Sequence, residues 1–460
     1  MWSKVADFIG RHQLLSRDGL HIVALSGGAD SVALLLVLKR LGYCIEAAHC
    51  NFRLRGEESD RDETFVCQLC EAQNIPIHRA HFDTREYAAL HKVSIEMAAR
   101  ELRYRYFEQL RQDLGADTIC VAHHRDDAVE TLLMNLMNGT GIHGLTGIRP
   151  QNGAIVRPLL GVSRAEIEEF LHSIGQTYVI DSTNAVDDVL RNKIRLNLIP
   201  LMQQILPKSS ENIAKTVDYI KEVEKVFDEA VKADISRLVT MLQPAIGSFD
   251  QREAAGVRLV DLQKLPSSEC FLFEWLRPYG FTSAQILQIA DSLDAPSGKT
   301  FSSATHVFYI DREKLIVAPV FQSPSPLVMP EEGVYVYQDK LKFKVSKSND
   351  VSVLKSDACI SLDQAKVEFP LTVRIIQSGD RFTPFGMNGS KLVSDYLTDR
   401  KLSLWAKRSQ LVVTDANGRI LWLVGHRIAH PFCITPSTIS VLRIEVLSLS
   451  LPYNSPINPL

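Results

Sequence analysis

Between residues 20 and about 200 the chain alternates short β-type runs with amphipathic segments of helix length. That rhythm leaves little choice of fold. Each strand needs parallel neighbours, and each helix between two strands must cover a face of the sheet they form. Residues 21–26 read as a buried strand and 30–41 as the helix after it. Residues 44–51, 75–83 and 118–123 are further strands, with helices at 61–73, 94–112 and 126–137. The expected class is α/β, a doubly wound parallel sheet with helices on both faces.

Near Pro207 the rhythm changes. Ile213, Val217, Ile220, Val223, Val226 and Phe227 recur at helical spacing within residues 211–239. A second helix at 283–293 precedes a β-rich stretch at 305–317, which implies a small, mainly helical middle domain. A Pro/Ser-rich linker at 321–330 leads to alternating segments such as 411–414 and 420–424, which imply a C-terminal α+β domain. The expected domains are 1–208, 209–320 and 331–460, and a chain of 460 residues lets each bury its own core.

The first strand-to-helix turn, Ser26-Gly27-Gly28-Ala29-Asp30-Ser31, has the makings of a nucleotide loop. Gly27 and Gly28 let the backbone turn tightly and approach a phosphate with no Cβ in the way. Successive N–H groups and the positive end of the next helix then cradle the anion. Ser26 and Ser31 add hydroxyls, and Asp30 holds a magnesium ion or orients the loop. The plain alternative is a turn capped by Asp30 and Ser31. Two look-alikes fail. Residues 139–144 match G-x-G-x-x-G but follow a helix, and Gly298-Lys299-Thr300 lacks the upstream glycine of a Walker loop.

A second constellation, His123, His124, Asp126, Asp127 and Glu130, follows the strand at 118–123. Its acids lie three or four residues apart and share a helical face. Ligands of doubly wound sheets bind beyond the carboxyl ends of the strands, so this cluster and the glycine loop project from one edge. Carboxylates there carry magnesium against phosphates or take a proton from an attacking group. A helix start that simply favours acids is the alternative. Of Arg100, Arg103 and Arg105 in the helix at 94–112, Arg103 is the expected contact to the reacting phosphate or substrate. Residues 181–184 and the run Arg191-Asn192-Lys193-Ile194-Arg195 before Pro200 read equally as a polyanion contact or as an Asx-rich turn and a basic helix.

Taken in order, these segments resemble the bacterial tRNA(Ile)-lysidine synthetases, a family of the PP-loop (ATP pyrophosphatase) superfamily. The likeness covers residues 20–205 and includes the stretch Asn51-Phe52-Arg53-Leu54-Arg55-Gly56. It continues more weakly at Gly379-Asp380-Arg381-Phe382-Thr383-Pro384, Gly389-Ser390-Lys391-Leu392, Asp399-Arg400-Lys401 and Gly425-His426-Arg427-Ile428. The resemblance implies an N-terminal PP-loop domain and a two-step reaction on a tRNA(Ile) with a CAU anticodon. ATP adenylates the C2 oxygen of the wobble cytidine and releases pyrophosphate. The amine of free lysine then displaces AMP. By the same resemblance Ser26 to Ser31 bind ATP, Asp30 and Asp127 serve Mg2+ or catalysis, and Glu130 supports the base step. Arg103 and either Arg191 or Arg195, with Arg195 preferred, stabilise the adenylated intermediate.

Charge agrees with an RNA partner. Arg381, Lys391, Arg400, Lys401, Lys407, Arg408 and Arg419 gather in the C-terminal segment with few acids between them. The net charge of −3 excludes a chain basic all over. Trp405 and Trp422 are expected in a core. A tRNA thiolase built on the same loop would need reactive cysteines, and only Cys67 and Cys70 are spaced as a pair. A non-catalytic nucleotide-binding or RNA-binding module has no use for the acid cluster. Residues 1–10 lack a signal-peptide layout and the apolar run at 32–38 is too short to span a bilayer, so a cytoplasmic location without a membrane partner is expected. Monomer and homodimer both stay open.

Overall fold

The structure, a computed structural model, describes residues 1–179, 190–245, 247–294, 297–353 and 356–448. It divides into two compact units, Met1–Asp228 and Glu229–Leu460.

The first unit is built on β1 (Leu20–Ala24), β2 (Cys44–Asn51), β3 (Ile77–His81), β4 (Thr118–Cys120), β5 (Gln151–Asn152) and β6 (Ile155–Val156). Their order in the sheet is β3-β2-β1-β4-β6-β5, parallel except for β5. Adjacent residues of one strand feed opposite cores, as the pleat requires. Val23, Ala47, Cys120 and Val156 pack with α1 (Trp2–His12), α2 (Ala29–Arg40) and α3 (Glu57–Ala72). Ile22, Ala48 and Ile119 face the other way, onto Phe107 and Leu110. Those two residues belong to α5 (Ile95–Leu114), which follows the short α4 (Thr84–His91). The sheet is doubly wound, as its alternating pattern implied.

Strand order positions the site. From β1 the chain proceeds outward to β2 and β3, then returns to place β4 on the other flank of β1. The segments leaving β1 and β4 therefore diverge, and a crevice opens at the carboxyl ends of these two strands. The segment after β4 runs into α6 (Arg125–Met137), then α7 (Ile142–Leu145) and α8 (Arg164–Ser173). Residues 181–184 lie outside the described residues. From residue 190 one helix runs as α9 (Leu190–Lys193), a π turn (Ile194–Leu198) and α10 (Ile199–Ile205). Pro200 explains the widening. It has no N–H, and its ring would press on the carbonyl four residues back. The Ile199 N–H instead reaches the carbonyl of Ile194, five residues back. The helix α11 (Ser209–Leu238) follows.

The second unit opens with β7 (Thr240–Leu242), β8 (Ala254–Arg258), β9 (Thr300–Ser302), β10 (His306–Asp311) and β11 (Lys314–Pro319), ordered β7-β8-β11-β10-β9. Helices α12 (Leu259–Leu262), α13 (Ser268–Leu276) and α14 (Ser283–Ala290) cover one face, burying Phe271, Trp275, Ile286 and Phe308. The β-rich stretch seen in the sequence is the β10–β11 hairpin at the centre of this sheet.

Two four-stranded sheets share the next core. One is β12 (Leu327–Met329), β16 (Leu371–Ile375), β19 (Leu411–Thr414) and β20 (Ile420–Leu423). The other is β13 (Gly333–Tyr337), β14 (Leu341–Ser348), β21 (Val441–Ser448) and β15 (Cys359–Asp363). Phe343, Trp422 and Leu442 are fully buried among them. Short strands β17 (Arg381–Phe382) and β18 (Lys391–Leu392) form a ribbon before α15 (Val393–Asp399) and α16 (Leu404–Arg408). Strand β12 falls inside the segment expected as a linker. Met329 is fully buried there, and Leu327–Met329 pairs antiparallel with Val373–Leu371. No described helix is long and apolar enough to cross a membrane.

Candidate active site

The glycine loop is braced from within. The Ser31 Oγ accepts from the N–H groups of Ser26 and Gly27, both at 3.2 Å, and donates to the Gly28 carbonyl at 3.0 Å. Ser31 is therefore a strut of the loop. The phosphate donors left are the first-turn N–H groups of α2, which no helix satisfies internally. Gly27 sits at φ +93°, and a Cβ on it would stand 3.3 Å from Val66. A Gly27→Ala protein should lose about 1–3 kcal/mol of stability, together with most of its nucleotide affinity. Thermal melting and ATP titration check this; a variant that binds ATP normally would show that the turn is not needed in this form.

Asp30 opens α2 directly above this loop. Its Oδ2 accepts from Arg164 at 2.6 Å, while its Oδ1 is buried with no hydrogen-bond partner among the described residues. Burial raises the Asp30 carboxyl above its ordinary value and Asp127 adds to this, against the pull of His124 and Arg164. His124 lies between the acids, with Nε2 3.8 Å from the Asp30 Oδ1 and 3.6 Å from the Asp127 Oδ2. Asp127 caps α6 by accepting from the His124 N–H at 3.0 Å. Asp126 accepts from the Arg164 N–H at 2.8 Å at the start of α8.

Glu130 is 1% exposed and doubly held. Arg195 donates to both its oxygens at 2.6 and 2.9 Å, and the Arg191 Nε stands 3.2 Å from its Oε2. Arg195 also reaches the Asp127 Oδ1 at 3.4 Å, and Arg191 donates to Thr131 at 2.9 Å. Glu130 thereby holds the two guanidinium groups in place beside the acids.

Two clefts meet at these acids. The first, about 470 Å³, is lined by Ser26, Gly28, Ser31, Phe52, Arg100, Arg103 and Arg191, among others. The second, about 550 Å³, is lined by Asp126, Glu130, Arg164, Arg195 and Glu211, among others. Asp30 and Asp127 line both and form their common wall. The two candidate arginines are thereby separated, Arg191 in the first cleft and Arg195 in the second. Arg103 lies over the Phe52 ring in the first cleft, whereas Arg105 lies over Tyr87.

Pattern reasoning missed Arg164 and Arg157. Arg157 donates to the His123 Nδ1 at 3.2 Å. Burial, with Arg157 and Arg191 adding, pushes His123 down to about 4, so its ring is neutral in the cleft. Neither arginine sits at a spacing that marks it. The thiol lining the first cleft is Cys50, which burial pushes up to about 12. Cys70 is likewise pushed up to about 11.

Three family models match the chain in order: a PP-loop domain over residues 4–202, a TilS substrate binding domain over 251–320, and a TilS substrate C-terminal domain over 371–445. A tRNA(Ile)-lysidine synthase of Bacteroides thetaiotaomicron is 44% identical over 447 residues, covering 96% of this chain and 99% of the relative. The chain belongs to the tRNA(Ile)-lysidine synthase family. The tRNA(Ile)-lysidine synthases of Parabacteroides distasonis and Bacillus subtilis are 43% and 30% identical, over 96% and 92% of this chain and 98% and 92% of theirs. The glycine loop, both clefts and their common wall fall within or directly beside the PP-loop match of this family member.

Proposed function

We propose that this chain is an ATP-dependent ligase that adenylates the wobble cytidine of a CAU-bearing tRNA(Ile) and couples it to free lysine. The common wall carries the reading. Two clefts with one pair of carboxylates between them suit a reaction in which one cleft activates a group and the other delivers the nucleophile. ATP phosphates fit the loop of the first cleft, with Arg103 and Arg191 facing them. The C2 oxygen of the cytidine attacks the α-phosphate, a P–O bond forms, and pyrophosphate leaves. Lysine fits the second cleft, where Asp126 and Glu211 suit an ammonium and Arg195 a carboxylate. Its amine attacks C2, AMP departs with the C–O bond pair, and the amine gives up a proton.

Asp30 and Asp127 fit a magnesium ion. The orphaned, buried Oδ1 of Asp30 lacks the partner that a divalent cation would supply. Such an ion supplies charge neutralisation at the phosphates. The protein's own residues hold the loop, set the two guanidinium groups against Glu130, and keep His123 neutral.

Incubation with labelled lysine, ATP and a CAU-bearing tRNA(Ile) transcript tests the reading. Label should enter the RNA, with one pyrophosphate and one AMP released per lysine. RNA without label would overturn it. A tRNA substrate also fits a cytoplasmic location.

Side-chain pairing narrows the basic face of the C-terminal segment. Lys391 pairs with Asp399, and Arg419 with Asp415 and Glu368. Trp405 and Trp422 are buried. Arg400 and Lys401 remain exposed and neighbouring, the former over the Tyr396 ring. Reversing both charges (Arg400→Glu with Lys401→Glu) should weaken tRNA binding at least about tenfold at physiological salt and flatten its salt dependence. Unchanged affinity in a titration would remove this face from the interface.

A further inference from the structure

The C-terminal motifs singled out in the sequence take no part in the two clefts above, but one of them, Gly425-His426-Arg427-Ile428, lines a third. The Phe385 N–H donates to the Ile428 carbonyl at 2.9 Å, and the His430 N–H to the Thr383 carbonyl at 2.7 Å. Arg427 Nη1 donates to the Phe385 carbonyl at 3.0 Å, and Pro384 bridges Ala429. This zipped pair of segments and strand β15 enclose a cleft of about 500 Å³, enough for a nucleotide.

Its lining is unusual. Ser361 is 5% exposed and its hydroxyl has no hydrogen-bond partner among the described residues. The Nε2 of His426, also buried, has none either. Burial pushes His426 down from its ordinary value, with Arg400 adding, so its ring is neutral near pH 7 and offers one donor and one acceptor. Both residues line the cleft, and unpaired buried polar atoms are costly unless something pairs them. At the mouth, Phe385 is 45% exposed, an aromatic face available for stacking. Arg427 is exposed beside it. Phosphate alone could take the hydroxyl as a donor but would leave the aromatic face unused. A heteroaromatic ring with donor and acceptor edges uses all of them.

We infer that this cleft takes an unstacked nucleobase of the tRNA, read at its edge by Ser361 and His426 and stacked on Phe385. The inference rests on reading the chain as a tRNA-modifying enzyme. It adds a base-reading pocket in the C-terminal segment, apart from the reacting cytidine.

Fluorescence anisotropy with a labelled tRNA(Ile) transcript and the full-length protein tests it. Ser361→Ala removes an unpaired buried hydroxyl, so its melting temperature should hold or rise while tRNA affinity falls about 3- to 10-fold. Phe385→Ala trims an exposed ring and should cost about 5- to 100-fold in affinity. Binding of a blunt RNA duplex, which offers no unstacked base, should be the same for both variants and the parent. Unchanged tRNA affinity in both variants, or equal weakening on the blunt duplex, would overturn the pocket. If the parent binds and lysylates the tRNA while the variants behave identically to it, only the pocket fails. If the parent binds no tRNA, the enzymatic reading fails with it.

Discussion

Asp127→Asn should slow tRNA-dependent pyrophosphate release by about 10²- to 10³-fold with the fold intact. The asparagine oxygen can still accept from the His124 N–H, the bond that caps α6 at 3.0 Å. What it loses is the negative charge on the wall common to both clefts. In the proposed reaction that charge serves the phosphates, whereas a cap acts only on the helix. Thermal melting and initial rates of pyrophosphate release, measured on one preparation, separate the two. Activity within tenfold of the parent, at unchanged stability, would reduce Asp127 to a capping residue.

Arg195→Ala is the second large expectation. It strips the bidentate partner from Glu130, which is 1% exposed, and leaves, among the described residues, the Arg191 contact at 3.2 Å. Breaking a buried pair costs about 3–5 kcal/mol; because Arg195 is itself 37% exposed and Arg191 remains, about 2 kcal/mol is expected here. Arg195→Lys should recover little, since an ammonium cannot span both carboxylate oxygens. In a Glu130→Ala background, Arg195→Ala should cost far less than in the parent. Denaturant melts of the single and double variants read this coupling directly. Additive effects would mean that the pair is incidental, and that Arg195 serves substrate alone.

Much of the site is legible in the residues alone. The S-G-G-x-D-S run implies a tight anion-binding turn because only glycine adopts φ +93° freely at residue 27. The spacing of the α6 acids places them on one face, and the α/β alternation places them on the same sheet edge as the loop. Geometry adds partners that spacing does not show. Ser31 hydrogen-bonds the loop itself. Asp126 caps the neighbouring helix α8. Lys391 and Arg419, counted as part of a basic face, are neutralised by acids that fold back onto them.

By itself the chain determined the alternation of elements, the glycine turn after the first strand and the acids after the fourth. Such features depend on residues a few positions apart, and periodicity expresses them directly. Tertiary structure decided the partners. Arg164 pairs with Asp30 from 134 residues away. Arg191 and Arg195 reach different clefts from one short helix that is widened ahead of Pro200. Leu327–Met329 becomes a strand only because β16 lies beside it. Periodicity states which face a residue occupies; which distant residue meets that face depends on how the elements pack, and local spacing carries no record of it.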